Sequence, residues 1–587
     1  MGSTSFEEIR YSDYFIDKTL LLKELFKSHS KALLLITPPR FGKTINLDMV
    51  QRFAERKVGK DGIPLPIPDV KNTAFEGTNI SYDEETMQHF GKYFVIQLTL
   101  VGCPRNYEEA FNNFCSAVRR AASHFNYLSE QKEYCQMINE NIKMSKDDLE
   151  NSILKLATLL MEHHGKEFKF ILLVDEYDAP VTNSMLSVTD AAELKDITTL
   201  RDTILGNVIK LKEGNEYLEL AILTGVADVT CGVASPLNSI NRRQFLRDEV
   251  YSPFYGITDL EFKVLTEKFD DSFITDMKAC FNGYCLNNCF FYNTWSVIES
   301  LISGHVVKAW TRTGVICNFK FLLGNNLFEN MIKMLLTTDG YTYSSDDLFN
   351  KIDVIDLVNL AECLKMKNKL IKIDIVEQFL YQNGYLTLTC NSPGKLKLPN
   401  NEIINEIKNN FYVPFFAPNY FQDMKKLKEC GVCFSKIISF DEHSICDFHN
   451  RFENLCRNVN SSIPFNHQVI HSLLFCVILH TSAPWKVVSL ECPVKEDYQG
   501  SKRCDIVLYY LFYLIVIEIK YKKRVHDAIK QIEDRDYLRV VENKNIVENE
   551  DDVKNFVRFG IAVSEEKKVE MKVEILDREF NIVKSLS

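Results

Sequence analysis

The sequence predicts an α/β protein with a parallel sheet wound by helices in its N-terminal half and a second α/β domain at its C-terminal end. Three observations support this class. Apolar runs of strand length alternate with helical segments up to about residue 255, an order typical of parallel sheets. A helix-rich region with aromatic turn segments follows. A long apolar stretch that ends in Glu-Ile-Lys then lies close to the C-terminal end.

Length and charge limit the possible organisation. A chain of 587 residues exceeds what one hydrophobic core usually supports. We therefore expect a sheet domain over residues 1–255, a helical lid with a small helix-plus-hairpin module over 256–414, and an α/β domain over 415–587. A formal net charge of −11 argues against a protein coated with basic surface, although nine basic and six acidic residues lie between Ser501 and Val540.

Four apolar runs of the first domain are predicted to form strands of one sheet. The first run is followed by a short loop and then by a helix over residues 44–57, and this order of strand, loop and helix is the one a phosphate-binding loop requires. The runs cover residues 31–36, 92–101, 168–174 and 218–226.

The loop from Thr37 to Thr44 reads Thr-Pro-Pro-Arg-Phe-Gly-Lys-Thr, which matches a Walker A phosphate loop except that Thr37 replaces the first glycine. The two prolines supply no N–H donors. The phosphates must therefore be held mostly by Phe41 to Thr44 and by the helix N-terminus behind them. We predict ATP binding by this loop, with the Thr44 hydroxyl on Mg²⁺; the loop residues concerned are Arg40, Phe41, Gly42, Lys43 and Thr44.

A Walker B motif ends the third predicted strand. It places Asp175 to ligate Mg²⁺ in the nucleotide site and Glu176 to orient the attacking water. Thr224 ends the next strand and is either a sensor of the γ-phosphate or a hydroxyl that satisfies the strand terminus. Arg242 or Arg243 is a candidate arginine finger, and an ordinary surface arginine is the alternative.

The C-terminal domain carries Asp505 and then Glu518-Ile519-Lys520, a pattern that fits a metal-dependent phosphodiesterase. Residues two apart in a strand share a face, so Glu518 and Lys520 point together. Asp505 on a neighbouring strand can then join Glu518 around Mg²⁺ while Lys520 polarises the attacking water. The alternative is a hairpin with charged ends. Two side chains on the next predicted helix, over 525–541, are expected to face this site: Gln531 and Tyr537.

The apolar run Ile506–Ile517 is too short to cross a membrane as a helix. Twelve residues reach about 18 Å, against roughly 30 Å of hydrocarbon, so we predict two buried strands. The N-terminus lacks the basic and apolar regions of a signal peptide. These features predict an intracellular protein, cytoplasmic or nuclear, with no membrane partner.

Seventeen cysteines are scattered along the chain, and their odd number favours reduced thiols over a disulfide framework. One group has a spacing that a zinc site could use. Ordinary thiol and helix-packing roles are the alternative for that group, which consists of Cys430, Cys433, Cys446 and His449.

At these motifs the chain resembles the AAA-ATPase-like family that carries a C-terminal PD-(D/E)XK nuclease-like domain. A Walker loop without its first glycine looks normal for such relatives. The resemblance implies a P-loop NTPase sheet with a helical lid, a restriction-endonuclease-like domain that acts on DNA or RNA, and ATP and Mg²⁺ as cofactors. It extends over nearly the whole chain, at residues 14–25, 38–50, 172–181, 223–229, 282–298, 383–388, 500–508, 516–520, 528–537 and 559–563.

One segment departs from the pattern of these relatives. They tend to place an acidic residue a few positions before a histidine ahead of the nuclease sheet, whereas Asn466 to His471 contains no carboxylate. We expect an ATP-hydrolysing protein whose nucleotide state controls a metal-dependent nuclease domain. One alternative is a nucleotide-dependent switch whose nuclease-like domain binds nucleic acid or protein without cleaving. Another is an ATPase fold without turnover, and an oligomer is possible in each case.

Overall fold

The structure is a computed structural model that divides into two compact units, Met1–Thr313 with Thr342–Ile403 and Gly314–Tyr341 with Ile404–Ser587. The domain boundaries predicted at residues 255 and 414 stay predictions. The residues described are 5–185, 187–188, 190–210, 216–231, 235–310, 319, 322, 325–337, 341–343, 346–365, 372–390, 394–412, 424–461, 464–481, 486–493, 503–510, 512–538 and 553–587.

A five-stranded parallel sheet forms the centre of the first unit. Its strands pair in the order β2-β3-β4-β1-β5, and β1 and β3 are buried along their whole length because helices cover both faces. The four predicted runs all form strands of this sheet. The strands are β1 (Ala32–Ile36), β2 (Phe94–Thr99), β3 (Phe170–Asp175), β4 (Leu218–Gly225) and β5 (Asn241–Gln244).

Helices surround this sheet. Helix α1 (Lys43–Ala54) follows the loop after β1 and buries Leu47, Val50 and Phe53 in the same cluster as Leu33 of β1, which fixes the position of the loop. The other helices of this region are Phe6–Arg10, Leu21–Lys27, Glu84–Met87, Tyr107–Ala122, Lys132–Ile138, Lys146–Glu150, Ser152–His164, Ala179–Thr182 and Ala191–Lys210.

The rest of the first unit combines helices with short strands. Ile257–Thr258, Tyr284–Leu286 and Cys289–Tyr292 form an antiparallel sheet, and Thr387–Leu388 pairs with Lys395–Lys397. The helices here are Asp259–Thr266, Asp271–Phe281, Thr294–Ser303, Val354–Lys365, Ile373–Gln382 and Asn401–Asn405.

Gly283 occupies a position that no other residue can fill without displacement of the backbone. Its φ is +145°, and a Cβ atom there would lie 1.5 Å from the carbonyl oxygen of Pro399. We expect Gly283→Ala to lower the free energy of unfolding by about 3 kcal/mol, measured by chemical denaturation. Gly304→Ala is the matched control, because Gly304 also has positive φ but would meet nothing within 4 Å; it should cost about 1 kcal/mol. Equal losses would contradict the steric explanation.

A six-stranded sheet forms the second unit. The pairing is parallel between β8 and β9 and antiparallel between the other neighbours, and the strands follow the chain order. The apolar run Ile506–Ile517 divides between two antiparallel strands, as predicted. The strands are β6 (Lys486–Pro493), β7 (Arg503–Tyr510), β8 (Tyr513–Tyr521), β9 (Asn555–Val563), β10 (Val569–Leu576) and β11 (Ile582–Leu586).

The helices of the second unit include one from an earlier part of the chain. Asn326–Thr337 belongs to this unit and contacts β6. The helix predicted over 525–541 is described as Val525–Asp534, and its residues 539–541 lie outside the described part of the chain. The other helices are Met424–Lys436, Glu442–Arg457 and α2 (His467–Leu479), and Val525–Asp534 is labelled α3.

One disulfide corrects the prediction of reduced cysteines. Cys285 and Cys390 are bonded, with their Cα atoms 6.2 Å apart, because the fold brings the strand Tyr284–Leu286 beside Thr387–Leu388. Thirteen other cysteines of the described residues form no disulfide. Within the described residues, no helix is both long enough and apolar enough to cross a membrane.

Candidate functional site

The loop between β1 and α1 has the backbone of a phosphate cradle. Thr37 donates its N–H to the carbonyl of Gly225 over 3.0 Å, so the residue that replaces the first Walker glycine continues the sheet. Gly42 precedes α1 with φ +92° and Arg40 has φ +65°. The N–H groups of the first turn of α1 have no partners within the helix and are available to an anion.

Lys43 is buried inside this loop. Its ammonium group donates to the carbonyl oxygens of Thr37 at 2.7 Å and Pro38 at 2.9 Å. Burial lowers the pKa of Lys43 to about 8, and the negative charges of Asp178 and Asp175 partly oppose this decrease. The group therefore remains mostly protonated at neutral pH and is held inside the loop between β1 and α1.

Thr44, Asp175 and Thr224 form one hydrogen-bonded chain that links the first turn of α1 to the ends of β3 and β4. Thr44 donates its hydroxyl to Oδ2 of Asp175 at 2.7 Å, and Thr224 donates its hydroxyl to Oδ1 of the same carboxylate at 2.8 Å. Hydroxyl and carboxylate oxygens are the ligands that Mg²⁺ prefers. The residues that the sequence assigned to the metal in this domain, Thr44 and Asp175, are therefore in contact and fit that ion.

Glu176 has an unusual backbone conformation. Its φ is +54°, a left-handed conformation that is costly for a side chain of this kind and is found mainly at functional sites. Burial and the neighbouring Asp175 raise the pKa of its carboxyl group. Within the described residues its carboxylate has no hydrogen-bond partner, while its N–H donates to Asp175 at 3.0 Å. Glu176 is therefore presented beside Asp175 with its carboxylate available.

The opposite side of the loop is held by residues from distant parts of the chain. The indole of Trp310 donates to the carbonyl of Pro39 at 3.1 Å, and Arg40 donates to the carbonyl of Ala309. Phe41 is buried with its ring 5.1 Å from that of Tyr284. Of the predicted loop residues, Phe41 can thus offer a ligand its backbone but not its side chain. Local sequence gave no signal for the contacts from Trp310 and Tyr284.

The two candidate arginine fingers make ion pairs within the first unit. Arg242 lies 3.0 Å from Asp228 and donates to the carbonyls of Leu237 and Ile240. Arg243 lies 2.8 Å from Asp248. Both arginines belong to the edge strand β5, where these bonds fix them.

The second unit brings Asp505, Glu518 and Lys520 together. Asp505 precedes Ile506, which pairs with Ile517 of the neighbouring strand, and the Asp505 carboxylate accepts the N–H of Ile519 at 2.6 Å. Lys520 donates to Oε1 of Glu518 at 2.6 Å. The period of two predicted for this strand therefore places Glu518 and Lys520 in direct contact.

Glu518 has one oxygen available for a ligand. Gln531 of α3 donates to Oε1 and also to the hydroxyl of Tyr537, whereas Oε2 is buried and has no hydrogen-bond partner within the described residues. Burial and the charge of Asp505 raise the pKa of Glu518 to about 7. An orphaned buried carboxylate oxygen beside a second carboxylate fits a divalent cation.

Two histidines of α2 lie beside Asp505. His467 Nε2 is 3.4 Å from the Asp505 carboxylate, and this hydrogen bond raises the pKa of His467. Burial opposes ionisation of Asp505, but its bonds with His467 and Ile519 outweigh this and lower its pKa. His471 is buried next to the Asp505 carbonyl, and burial lowers its pKa to about 4. The sequence did not predict the contact of His467 with Asp505.

The candidate zinc residues have other partners. The Cys433 thiol donates to Asp447 at 3.0 Å, and His449 Nε2 lies 2.7 Å from the carbonyl of Val569. Among the described residues, no group of three or more histidines, cysteines or acids could hold a metal ion. Cys430 is buried and Cys446 is exposed, so these spacings reflect helix packing.

Comparison with known proteins addresses the first of the two sites. Residues 1–232 match the model of a protein family described as a predicted AAA-ATPase, AAA-ATPase-like. No match was found among curated proteins or among solved structures. The AAA-ATPase-like part of the resemblance is therefore confirmed for residues 1–232, which carry a domain similar to nucleotide-binding ATPases.

Proposed function

We propose that the first unit binds ATP with Mg²⁺ and hydrolyses it. The observation that carries this proposal is the hydrogen-bonded chain of Thr44, Asp175 and Thr224, which joins the phosphate loop to two neighbouring strand ends beside Lys43. In P-loop enzymes catalysis consists of positioning and of charge stabilisation around the phosphates, and this arrangement supplies both.

Each side chain has a separate role in this proposal. The Lys43 ammonium leaves the loop carbonyls to bind the terminal phosphates, and backbone N–H groups from Arg40 to Thr44 surround them. Thr44 and Asp175 hold Mg²⁺, which neutralises phosphate charge when bound. Glu176 orients the attacking water. Thr224 senses the presence of the terminal phosphate through its hydrogen bond to Asp175.

Lys43→Ala should weaken ATP binding by at least about 100-fold, because it removes charge-assisted hydrogen bonds worth roughly 3 kcal/mol to the phosphates. Isothermal titration with a non-hydrolysable ATP analogue and Mg²⁺ measures this change. Lys57→Ala, at an exposed lysine near the end of α1, is the control and should bind as the wild type does. Unchanged affinity in Lys43→Ala would rule out the proposed loop.

A second function is favoured by the unpartnered oxygen of Glu518 beside Asp505. We infer that the second unit is a metal-dependent phosphodiesterase acting on nucleic acid, in which Asp505 and Glu518 hold Mg²⁺ and Lys520 positions the attacking water. Assay of DNA and RNA cleavage with Mg²⁺ or Mn²⁺ tests it. Binding without cleavage of any substrate would favour the alternative of a non-cleaving switch. Control of this site by nucleotide in the first unit stays a prediction.

A further inference from the structure

We propose that the second unit binds single-stranded nucleic acid on a pair of aromatic rings, those of Phe465 and Tyr521, near Asp505 and Glu518. The inference rests on the phosphodiesterase function proposed above and specifies the substrate class of that site. Four kinds of observation support it: the ring geometry, the position of the rings, the local charge and the lysines that accompany them.

The two rings lie against each other and are half-buried. Their centroids are 5.8 Å apart at an interplanar angle of 67°. The ammonium group of Lys567 lies 5.1 Å from the Phe465 ring, and that of Lys522 lies 5.3 Å from the Tyr521 ring. Two aromatic rings and two cations therefore form a continuous surface built from three separate segments of the second unit.

This surface borders the candidate site at two points along the chain. Tyr521 directly follows Lys520 at the end of β8, and Lys520 donates to Glu518. Phe465 lies two residues before His467, which contacts Asp505. Glu518 and Lys520 lie on one face of β8 and Tyr521 on the other, so a chain that stacks on the rings has to cross the end of this strand to bring a phosphate to the acidic pair.

The charge of this region complements a nucleic acid. Between Lys520 and Lys530 there are five basic residues and one acidic residue, in a protein whose formal net charge is −11. Lys523 is exposed directly beyond Lys522. A local positive strip on an acidic protein concentrates binding at one place instead of over the whole surface.

The combination of rings and lysines selects single strands over duplexes. Every unpaired base has a face that stacks on an aromatic side chain, and flanking lysines follow the phosphates. Bases inside a duplex are already stacked on their neighbours and offer no such face. On binding, bases displace Lys522 and Lys567 from the rings. Lys522 then exchanges its ion pair with Glu565 for a backbone phosphate, and Lys567 exchanges its bond to the carbonyl of Val459 for another.

Binding of full-length protein to fluorescein-labelled oligonucleotides, followed by anisotropy in EDTA, tests this without cleavage. The probes are a 20-nucleotide single-stranded DNA, the RNA of the same sequence and the matching DNA duplex, each at about 50 mM and 200 mM salt. We expect tighter binding of the single strands. The double variant Phe465→Leu and Tyr521→Leu keeps apolar packing but removes the aromatic faces, and should weaken single-strand binding by about tenfold or more.

The chain provides a matched control at the other end of the same strand. Phe512 precedes β8, is 44% exposed, and carries the ammonium group of Lys554 at 4.5 Å from its ring. Phe512→Leu removes the same kind of cation and ring pair roughly 30 Å along the strand, and should leave binding unchanged. Circular dichroism melting shows that the variants fold.

Loss of single-strand binding in the double variant, with the control unchanged, supports the proposal. It is overturned if wild-type protein binds no single strand, if it binds the duplex as tightly, or if the double variant binds as wild type. It is also overturned if only a polyanionic peptide such as polyglutamate binds this surface. Cleavage with Mn²⁺ is scored separately, so that binding without cleavage rejects the phosphodiesterase function and leaves the single-strand surface standing.

Discussion

Glu176→Gln is expected to leave ATP bound and to lower hydrolysis by about 10²- to 10⁴-fold, the usual contribution of a positioned general base. Glutamine keeps the size of the side chain but cannot accept the proton of the attacking water. The glutamate stands in a left-handed backbone conformation with its pKa raised by burial and by Asp175. Such a costly arrangement persists where the surrounding structure enforces it. Release of phosphate under saturating ATP and Mg²⁺ measures the change.

The control for this prediction is Glu219→Gln. Glu219 lies in β4, close to the end of that strand opposite Thr224, and pairs with Lys169 at 2.7 Å, so its substitution should not alter hydrolysis. A Glu176→Gln protein that hydrolyses ATP as fast as wild type would remove Glu176 from the mechanism. Loss of ATP binding together with hydrolysis would instead indicate that Glu176 shapes the site and does not activate water.

The parts of the first site that sequence could predict are those set by short spacings. The strand before the loop, the helix after it and Asp175 at the end of β3 follow from hydrophobic runs and their termini. The role of Thr37 could not be read in the same way, because its N–H is bonded to Gly225, 188 positions away in the chain. That bond depends on the pairing of β1 with β4.

The contacts that hold the phosphate loop from outside had no local signal. Trp310 and Tyr284 reach Pro39 and Phe41 because helices and short strands after residue 255 fold back onto the loop. The disulfide of Cys285 with Cys390 arises from the same folding, whereas the odd number of cysteines predicted reduced thiols. Long-range packing of this kind produces no periodic sequence pattern, so it could not be predicted from the sequence.

In the second unit the strand period predicted one contact and could not predict others. Glu518 and Lys520 meet because residues two apart share a face, and Gln531 faces them as expected. His467 reaches Asp505 from a helix 38 positions earlier. Lys333 of the helix Asn326–Thr337 pairs with Glu329 of the same helix and donates to Ser472 of α2. The sequence of this helix did not predict its contact with α2.

Lys520→Ala is expected to reduce metal-dependent cleavage of nucleic acid by at least about 10²-fold, since it removes the cation that positions the attacking water. Binding of the same substrate in EDTA should change less than about threefold, because one phosphate contact of many is lost. Gel analysis of labelled single strands with Mg²⁺ or Mn²⁺ measures cleavage, and anisotropy measures binding.

A second lysine and glutamate pair of the same sheet serves as a control that distinguishes a role of Lys520 in the reaction from a role in stabilising the sheet. Lys572 and the buried Glu574 also lie two residues apart on a strand, with their charged atoms 2.7 Å apart, but Arg558 approaches the other Glu574 oxygen at 3.4 Å. Glu574 therefore has no vacant oxygen, whereas Glu518 does. Lys572→Ala should consequently leave cleavage intact while removing a similar ion pair. If both variants lose cleavage equally, the lysines stabilise the sheet. If neither variant loses cleavage, Lys520 has no part in the reaction. Loss of cleavage in Lys520→Ala alone identifies the vacant oxygen of Glu518 as the feature that distinguishes a reactive site from a structural ion pair.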